Sequence, residues 1–326
     1  MIDLKSLVKS TSAYKIIKND LQQGKLSHAY LVLCQDGENL KKYLTEITKL
    51  LFCKEQDPCD SCRACNLIEQ NMHPDAQFFP KQGENVLVEE VNAIIQDTFV
   101  KPFESDKKVF VLQNGQTMNL SSQNKLLKTL EEPPKNVHII IGATSEYALL
   151  PTIKSRVKKL QIPVFSHEQL FDALKGECLD VQRLKQAIVC GDGTVGNTLA
   201  LYQDENLKET TDFCKDVLFK MSSSKEVLEY SERLNALKTP FETFLSVLEL
   251  YLRDMLVGIN GRKDLVFNKE QIDWESAYVY KKGAISDILQ DVIGARKRIE
   301  ANSSKSMVGE WILFKILEEK FKWQKL

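Results

Sequence analysis

The chain has 326 residues, of which 43% are apolar and 27% charged, a balance suited to a globular protein with two or three domains. Its 44 Lys+Arg and 45 Asp+Glu leave a net charge of −1, which excludes a whole-chain affinity for polyanions and requires any nucleic-acid surface to arise from local clustering. The opening stretch MIDLKSLVKSTSAYK has no apolar segment of signal-peptide length, and nothing approaches the roughly 18 uncharged apolar residues of a membrane span, so a cytoplasmic protein without membrane association is expected.

In chain order, the first element is an apolar run of strand length at 29–33, followed by apolar residues at 40, 43, 44, 47, 50 and 51, a helical period. The turn between them stands where a phosphate loop would. A working loop, G-x-x-x-x-G-K-[ST], wraps backbone amides around the phosphates, sets a lysine on the outer ones and a hydroxyl on Mg²⁺. Laid on this strand, that frame puts Cys34 at the first glycine and Asn39 at the second. Leu40 then falls at the lysine and Lys41 at the hydroxyl, with Gly37 the one glycine between. Asp36 and Glu38 are expected to face the phosphates and repel them. The loop reads as degenerate.

Four of the eight cysteines fall within residues 53–65, as Cys53-x5-Cys59-x2-Cys62-x2-Cys65. Zinc takes four soft ligands in a tetrahedron, and paired C-x-x-C turns let thiolates converge without backbone strain. The intervening KEQDP, DS and RA are polar and turn-forming. Sulfur can fill all four places, whereas catalytic zinc keeps one open, so the site reads as structural zinc. Four unrelated thiols, or a redox C-x-x-C, are the competing readings; the overlapping half-motifs and the absence of a preceding thioredoxin-like strand weigh against them. Cys34, Cys178, Cys190 and Cys214 are scattered and read as reduced, mostly buried thiols. His73, in NMHPD, is the competing ligand or base, although a lone His after a helix is more often a surface or capping residue. Lys54 and Arg63 are the only nearby cations in sequence, a weak patch for nucleic acid.

Next come a strand at 76–79 and a helix at 88–99 with 91, 94, 95 and 99 on one face. The apolar runs 109–112 and 137–141 read as central strands covered on both faces. Between them SSQNKLLKTLEEPP gives a helix capped at its start and stopped by Pro133-Pro134. A fifth strand is expected at 159–162. Alternation of this kind predicts an α/β parallel sheet flanked by helices. The run after the third strand, Gln113-Asn114-Gly115-Gln116, holds no carboxylate where an acidic pair would bind Mg²⁺. With two independent parts of an ATP site missing, no functional ATP/Mg site and no ATP hydrolysis are expected.

After a break at 163–167, residues 168–205 give short helical segments interrupted by GDGTVGN at 191–197, and no strand of comparable strength follows. From about 207 the chain reads as longer amphipathic helices, among them FETFLSVLELYLRDML and SMVGEWILFKILEEKFKW. Three domains are expected: an α/β domain at 1–165 with the zinc insertion at 53–65, a small helical lid at 166–207, and an all-α domain at 208–326.

LSHAYLV, the cysteine cluster, NMHPD, SSQNKLLKTLEEPP, IIIGAT and KSRVKKL occur in an order and spacing that resemble the bacterial DNA polymerase III clamp loader subunits, most of all the delta-prime type. The resemblance is strong over 1–165 and weaker beyond, where RKRIEANSSKSMVGEWILFKIL carries it. It implies an AAA+ module, a helical lid and a helical collar used for oligomerisation. It further implies a non-hydrolysing subunit of the sliding-clamp loader in DNA replication, within a hetero-pentamer of gamma/tau ATPase subunits and the delta subunit. Through that complex it would meet the sliding clamp and primer-template DNA, in the cytoplasm at the nucleoid, with no ATPase or polymerase activity of its own. The family's Ser-Arg-Cys motif stands here as Ser155-Arg156-Val157, and the resemblance implies that Arg156 is an arginine finger reaching into the neighbouring subunit's ATP site. Thr144 matches the family's sensor position and reads as vestigial. Five residues separate the first two cysteines where relatives commonly have more, which shortens the knuckle without removing a ligand.

Taken without the resemblance, Lys154, Arg156, Lys158 and Lys159 could equally solvate a strand edge. Two further readings compete. An ATPase paralogue (gamma/tau-like) would need Gly-x-Gly-Lys-Thr and an Asp-Glu pair, both absent. A zinc-containing nucleic-acid-binding module would need a basic groove with interleaved aromatics. Lys281-Lys282 and Arg296-Lys297-Arg298 could face DNA or solvent, and solvated helical charge is the favoured expectation.

Overall fold

The computed structural model describes residues 3–55, 57–262, 266, 272, 274–277, 280–301 and 303–322. Gln56 of the knuckle and Asn302 and Trp323 of the C-terminal stretches named above lie outside them. The chain forms two compact units, Met1–Leu179 with Gly193–Asn197, and Asp180–Asp192 with Thr198–Leu326.

In the first unit, helices α1 (Leu4–Ser10) and α2 (Ser12–Gln22) lead into strand β1 (Ala29–Cys34) and helix α3 (Gly37–Phe52). There follow α4 (Arg63–Glu69), β2 (Ala76–Phe79), α5 (Val88–Asp97), β3 (Lys108–Leu112), α6 (Leu120–Glu131) and β4 (Val137–Ala143). Short α7 (Pro151–Lys154), β5 (Lys158–Ile162) and α8 (His167–Leu174) complete the α/β part. The five strands are parallel, in the order β2-β3-β4-β1-β5. With β1 set between β4 and β5, the expected α/β parallel sheet flanked by helices is present, and so is every expected strand. Continuous apolar runs explain the placing: Tyr30–Val32, Val109–Leu112 and Ile139–Ile141 are buried without alternation, because helices cover both faces. One face packs Leu31, Phe110, Leu112, Ile139 and Ile141 against Val91 and Ile94 of α5 and Leu126 and Leu130 of α6. On the other, α3 approaches β4 so closely that a Cβ on Gly142 would stand 3.3 Å from the Leu40 side chain. Bulk at residue 142 would therefore displace the Leu40 and Leu44 side chains of α3.

Because the strands are parallel, their C-terminal ends share one edge, where ligands of open α/β sheets gather. The turn after β1, Gln113 after β3 and Thr144 after β4 all lie on that edge.

Beyond α8 come α9 (Val181–Cys190) and α10 (Val195–Gln203), the latter starting among residues of the first unit. The second unit continues with α11 (Leu207–Lys215), α12 (Ser224–Ala236), α13 (Phe241–Ile259), α14 (Trp274–Ala277), α15 (Lys282–Glu300) and α16 (Lys305–Lys322). No strand occurs there among the described residues. Burial at 244, 245, 248, 251, 252 and 255 of α13, at 285, 288, 292 and 295 of α15, and at 308, 312, 313 and 316 of α16 follows the helical period and makes one core. Among the described residues no helix is long and apolar enough to cross a membrane.

Candidate functional site

The turn after β1 is organised by one of its own side chains. Asp36 is the N-cap of α3: its Oδ1 accepts the Asn39 amide at 3.3 Å, and both carboxylate oxygens accept from Asn39 Nδ2 at 3.1 Å. Its Oδ2 also takes the Tyr43 hydroxyl at 2.8 Å and the backbone amides of Val195 and Gly196 at 3.1 and 3.3 Å. Asp36 is therefore buried and turned inward, a correction to the expectation that it faces a phosphate space. Leu40 is buried, Lys41 lies exposed on α3, and Lys42 bonds Asn39 Oδ1 at 3.1 Å. Neither lysine stands at the head of the turn where a phosphate lysine would begin. Burial pushes the Cys34 thiol up to about 12. A Cβ on Gly37 would stand 3.2 Å from the Thr144 methyl, so the turn abuts the sensor-like position. The Thr144 amide in turn donates to Gln116 Oε1 at 3.3 Å. The β1–α3 turn, Gln116 and Thr144 are thus brought together, with buried Leu40 at the position a phosphate lysine would take and no carboxylate at 113–116.

The four clustered cysteines also converge. Their sulfurs lie within 4.8 Å of one another, near the edge of about 3.8 Å that a tetrahedron with ~2.3 Å metal–sulfur bonds demands. The Cys62 amide donates to Cys59 Sγ at 3.3 Å and the Cys65 amide to Cys62 Sγ at 3.4 Å. Burial raises the thiols of Cys53 and Cys65, the latter to about 12, while hydrogen bonds from Ser61 pull Cys59 down to about 6. An all-sulfur set of this geometry fits a metal ion and suits a structural one.

Sequence proximity misjudged the charge around this knuckle. Lys5, Lys18 and Lys49 reach it from α1, α2 and α3, in addition to Lys54 and Arg63. Lys49 is buried and pairs with Glu46 at 2.9 Å, Asp60 at 2.8 Å and Glu69. Lys5 takes Asp60 and Lys18 takes Asp57, each at 2.7 Å, and the Tyr14 hydroxyl donates to Asp57 at 2.9 Å. Arg63 pairs with Glu104 at 3.1 Å. Lys5, Lys18 and Lys49 staple the knuckle to the helices, and among the described residues these three and Arg63 are paired with acids and do not line an open basic groove of the kind nucleic acid needs.

His73 is not a surface residue: it is buried, its ring 4.6 Å from that of Phe52, and its Nδ1 accepts the Asp75 amide at 3.1 Å. It stands outside the sulfur cluster. Burial lowers its pKa. The stronger chemistry of NMHPD belongs to Asp75, which sequence reasoning passed over. Its carboxylate accepts the amides of Phe103, Glu104 and Ser105 at 2.6, 2.9 and 2.9 Å, and the Ser105 hydroxyl at 2.9 Å.

Three separate sequence motifs meet at Arg156. Its guanidinium pairs with Glu131 of LLKTLEEPP at 2.7 Å and donates to the Thr152 carbonyl at 2.9 Å and Ser155 Oγ at 3.2 Å. A ring nitrogen of His28, from LSHAYLV, bonds the Arg156 carbonyl at 3.0 Å. One-third of the side chain is exposed. The neighbouring cations are paired too, Lys158 with Asp20 and Lys159 with Glu146, each at 2.6 Å, so KSRVKK is no open cationic stripe. Gln123, unremarked in the sequence, donates to the carbonyls of Met118 and Ala148 at 3.0 and 2.9 Å and accepts the Leu150 amide at 2.7 Å. It fixes the loop between β4 and α7. In the second unit, Arg296 pairs with Glu249 at 3.0 Å and Arg298 stacks 4.1 Å over Trp311, while Lys281, Lys282 and Lys297 are exposed.

Among known proteins, the family model described as "DNA polymerase III, delta subunit" matches residues 9–166. The DNA polymerase III subunit delta' of Bacillus subtilis is 25% identical over 326 aligned positions, spanning 93% of this chain and 95% of that one. A DNA polymerase III subunit gamma of Buchnera aphidicola is 28% identical over 225, spanning 64% and 62%. Among solved structures, the Bacillus subtilis DNA clamp loader delta protein aligns over 94% of this chain and 99% of that one, with 8% identity and a TM-score of 0.37.

Proposed function

The chain is a relative of the DNA polymerase III clamp-loader subunits, delta' foremost, and on that premise we propose that it is the non-hydrolysing subunit of a bacterial sliding-clamp loader, donating Arg156 to a neighbouring ATPase subunit. The observation that carries this reading is the separation of Arg156 from the chain's own turn. Arg156 precedes β5, whose Lys158 pairs with Tyr30 near the start of β1, while the turn follows Cys34, paired with Ile162 at the far end. Five strand residues at about 3.3 Å each put roughly 16 Å between them. Such an arginine cannot reach phosphates at its own turn and is available to another subunit's. Its planar fork, always charged, suits phosphate oxygens bidentately. Ser155 and Glu131 hold the guanidinium, so the side chain is pre-oriented.

Within the proposal, Cys53, Cys59, Cys62 and Cys65 hold a structural zinc that closes the knuckle. The partners are gamma/tau ATPase subunits and the delta subunit in a hetero-pentamer, with the sliding clamp and primer-template DNA met through that assembly in the cytoplasm. Residues 1–165, 166–207 and 208–326 act as AAA+ domain, lid and collar. Similarity to gamma subunits gives an ATPase paralogue as the second reading; Leu40, Lys41 and the carboxylate-free 113–116 run oppose it. The purified chain should co-purify with ATPase and delta subunits and turn over no ATP alone. Mg²⁺-dependent turnover by the isolated chain would overturn the proposal in favour of the ATPase.

A further inference from the structure

We infer that the Asp36 carboxylate is a built-in anion that takes the place of a nucleotide phosphate at the β1–α3 turn and closes that turn to nucleotide. Helix N-termini present unpaired amides and positive potential, which is why phosphates settle there. Here the anion is covalently part of the chain. Asp36 Oδ1 caps α3 through the Asn39 amide, and Oδ2 collects the Val195 and Gly196 amides at 3.1 and 3.3 Å and the Tyr43 hydroxyl at 2.8 Å. One carboxylate so serves the first turns of two helices, α3 and α10.

Three independent features agree. Asp36 is only 4% exposed, so its charge is committed to these donors and not to water. Gly196 packs directly on it: a Cβ there would stand 2.8 Å from Asp36 Oδ1 and 2.9 Å from Glu38 Oε2, which leaves no room for a phosphate between them. The space beside the turn, bounded by Cys34, Asp36, Phe165, Gly193 and Thr194, is too tight to admit a water molecule. A nucleotide seated on the turn would need that space for the rest of its body. The segment 193–197 is fastened over it by the Phe165 amide donating to the Gly193 carbonyl at 2.8 Å, and Gly193 has the positive φ of 82° that such a fold-back requires. Loss of the phosphate lysine explains a weak site; the carboxylate explains a filled one. The inference does not depend on the role given to Arg156.

Chemical rescue tests it on the full chain. In Asp36→Gly the amides and the Tyr43 hydroxyl lose their acceptor, and the melting temperature should fall by about 5 °C. Inorganic phosphate at millimolar concentration should restore part of that loss in the variant and leave the wild type unmoved, with matched chloride as the ionic-strength control. A fluorescent ATP analogue should show no saturable binding to the wild type. If Asp36→Gly fails to fold, Asp36→Asn, of equal size but without the charge, carries the same reading. Saturable ATP binding by the wild type overturns the inference. So do a folded variant as stable as the wild type, and phosphate that stabilises both proteins equally or neither.

Discussion

At the scale of single residues, buried carboxylates decide more than the motifs around them suggest. Asp75 is fully buried, and burial alone would raise its pKa; the amides of Phe103 and Glu104 and the Ser105 hydroxyl outweigh that and hold it low. Asp75→Ala leaves these donors without an acceptor and should cost about 2–4 kcal/mol, measured by denaturant unfolding. The pH sign follows from the depressed folded pKa. Asp75 contributes fully above the unfolded carboxylate value near 4, and its contribution is lost as pH falls through the lower folded value. Asp57 and Asp60 share that direction, through Lys18 and Lys49 respectively after burial. Stability of the wild type should be flat from about pH 8 to 5 on this account and fall below about 4, and Asp75→Asn should flatten that fall. None of this was legible in NMHPD, where His73 drew attention as a ligand. The partners of Asp75 are backbone amides 28–30 positions away, and backbone amides carry no sequence signature.

At the scale of elements, the strands were the most legible part, because a doubly covered parallel strand is written as an unbroken apolar run. Helix starts were less so: α3 begins at Gly37 rather than Leu40, since the cap, Asp36, is a polar residue four positions ahead of the periodic face. The knuckle was legible as four cysteines and illegible in its attachment, because Lys5, Lys18 and Lys49 come from three helices. Lys49→Met would leave Glu46 buried beside two acids and should cost about 2–3 kcal/mol, less than a fully buried pair because Asp60 and Glu69 keep contact with water. Elemental analysis of protein purified without chelators should give one zinc per chain. Cys62→Ser should abolish it and increase proteolysis between α3 and β2; retention of stoichiometric zinc would remove Cys62 from the ligand set. Isolated zinc fingers gain about 10–16 kcal/mol apparent from their metal, and the surrounding sheet should leave the rest of the domain folded here.

At the scale of the whole molecule, the β1–α3 turn and Arg156 lie towards opposite ends of the β1–β5 pair. Asp36 is enclosed in the turn at the C-terminal edge of the sheet, while Arg156 stands at the opposite edge, held by Glu131. The sequence already contained the absent phosphate lysine and acidic pair. The convergence of His28, Glu131 and Arg156 was not legible, since it depends on β1, α6 and β5 meeting at one sheet edge. The most direct measurement is DNA-stimulated ATPase of a loader reconstituted from the ATPase and delta subunits with this chain, as wild type or as Arg156→Ala. Trans-acting arginines are worth about 10³–10⁵ in rate at the site they serve. The account predicts an intact assembly of unchanged composition whose ATPase falls because one site is lost. An intact Arg156→Ala assembly with wild-type ATPase would contradict it.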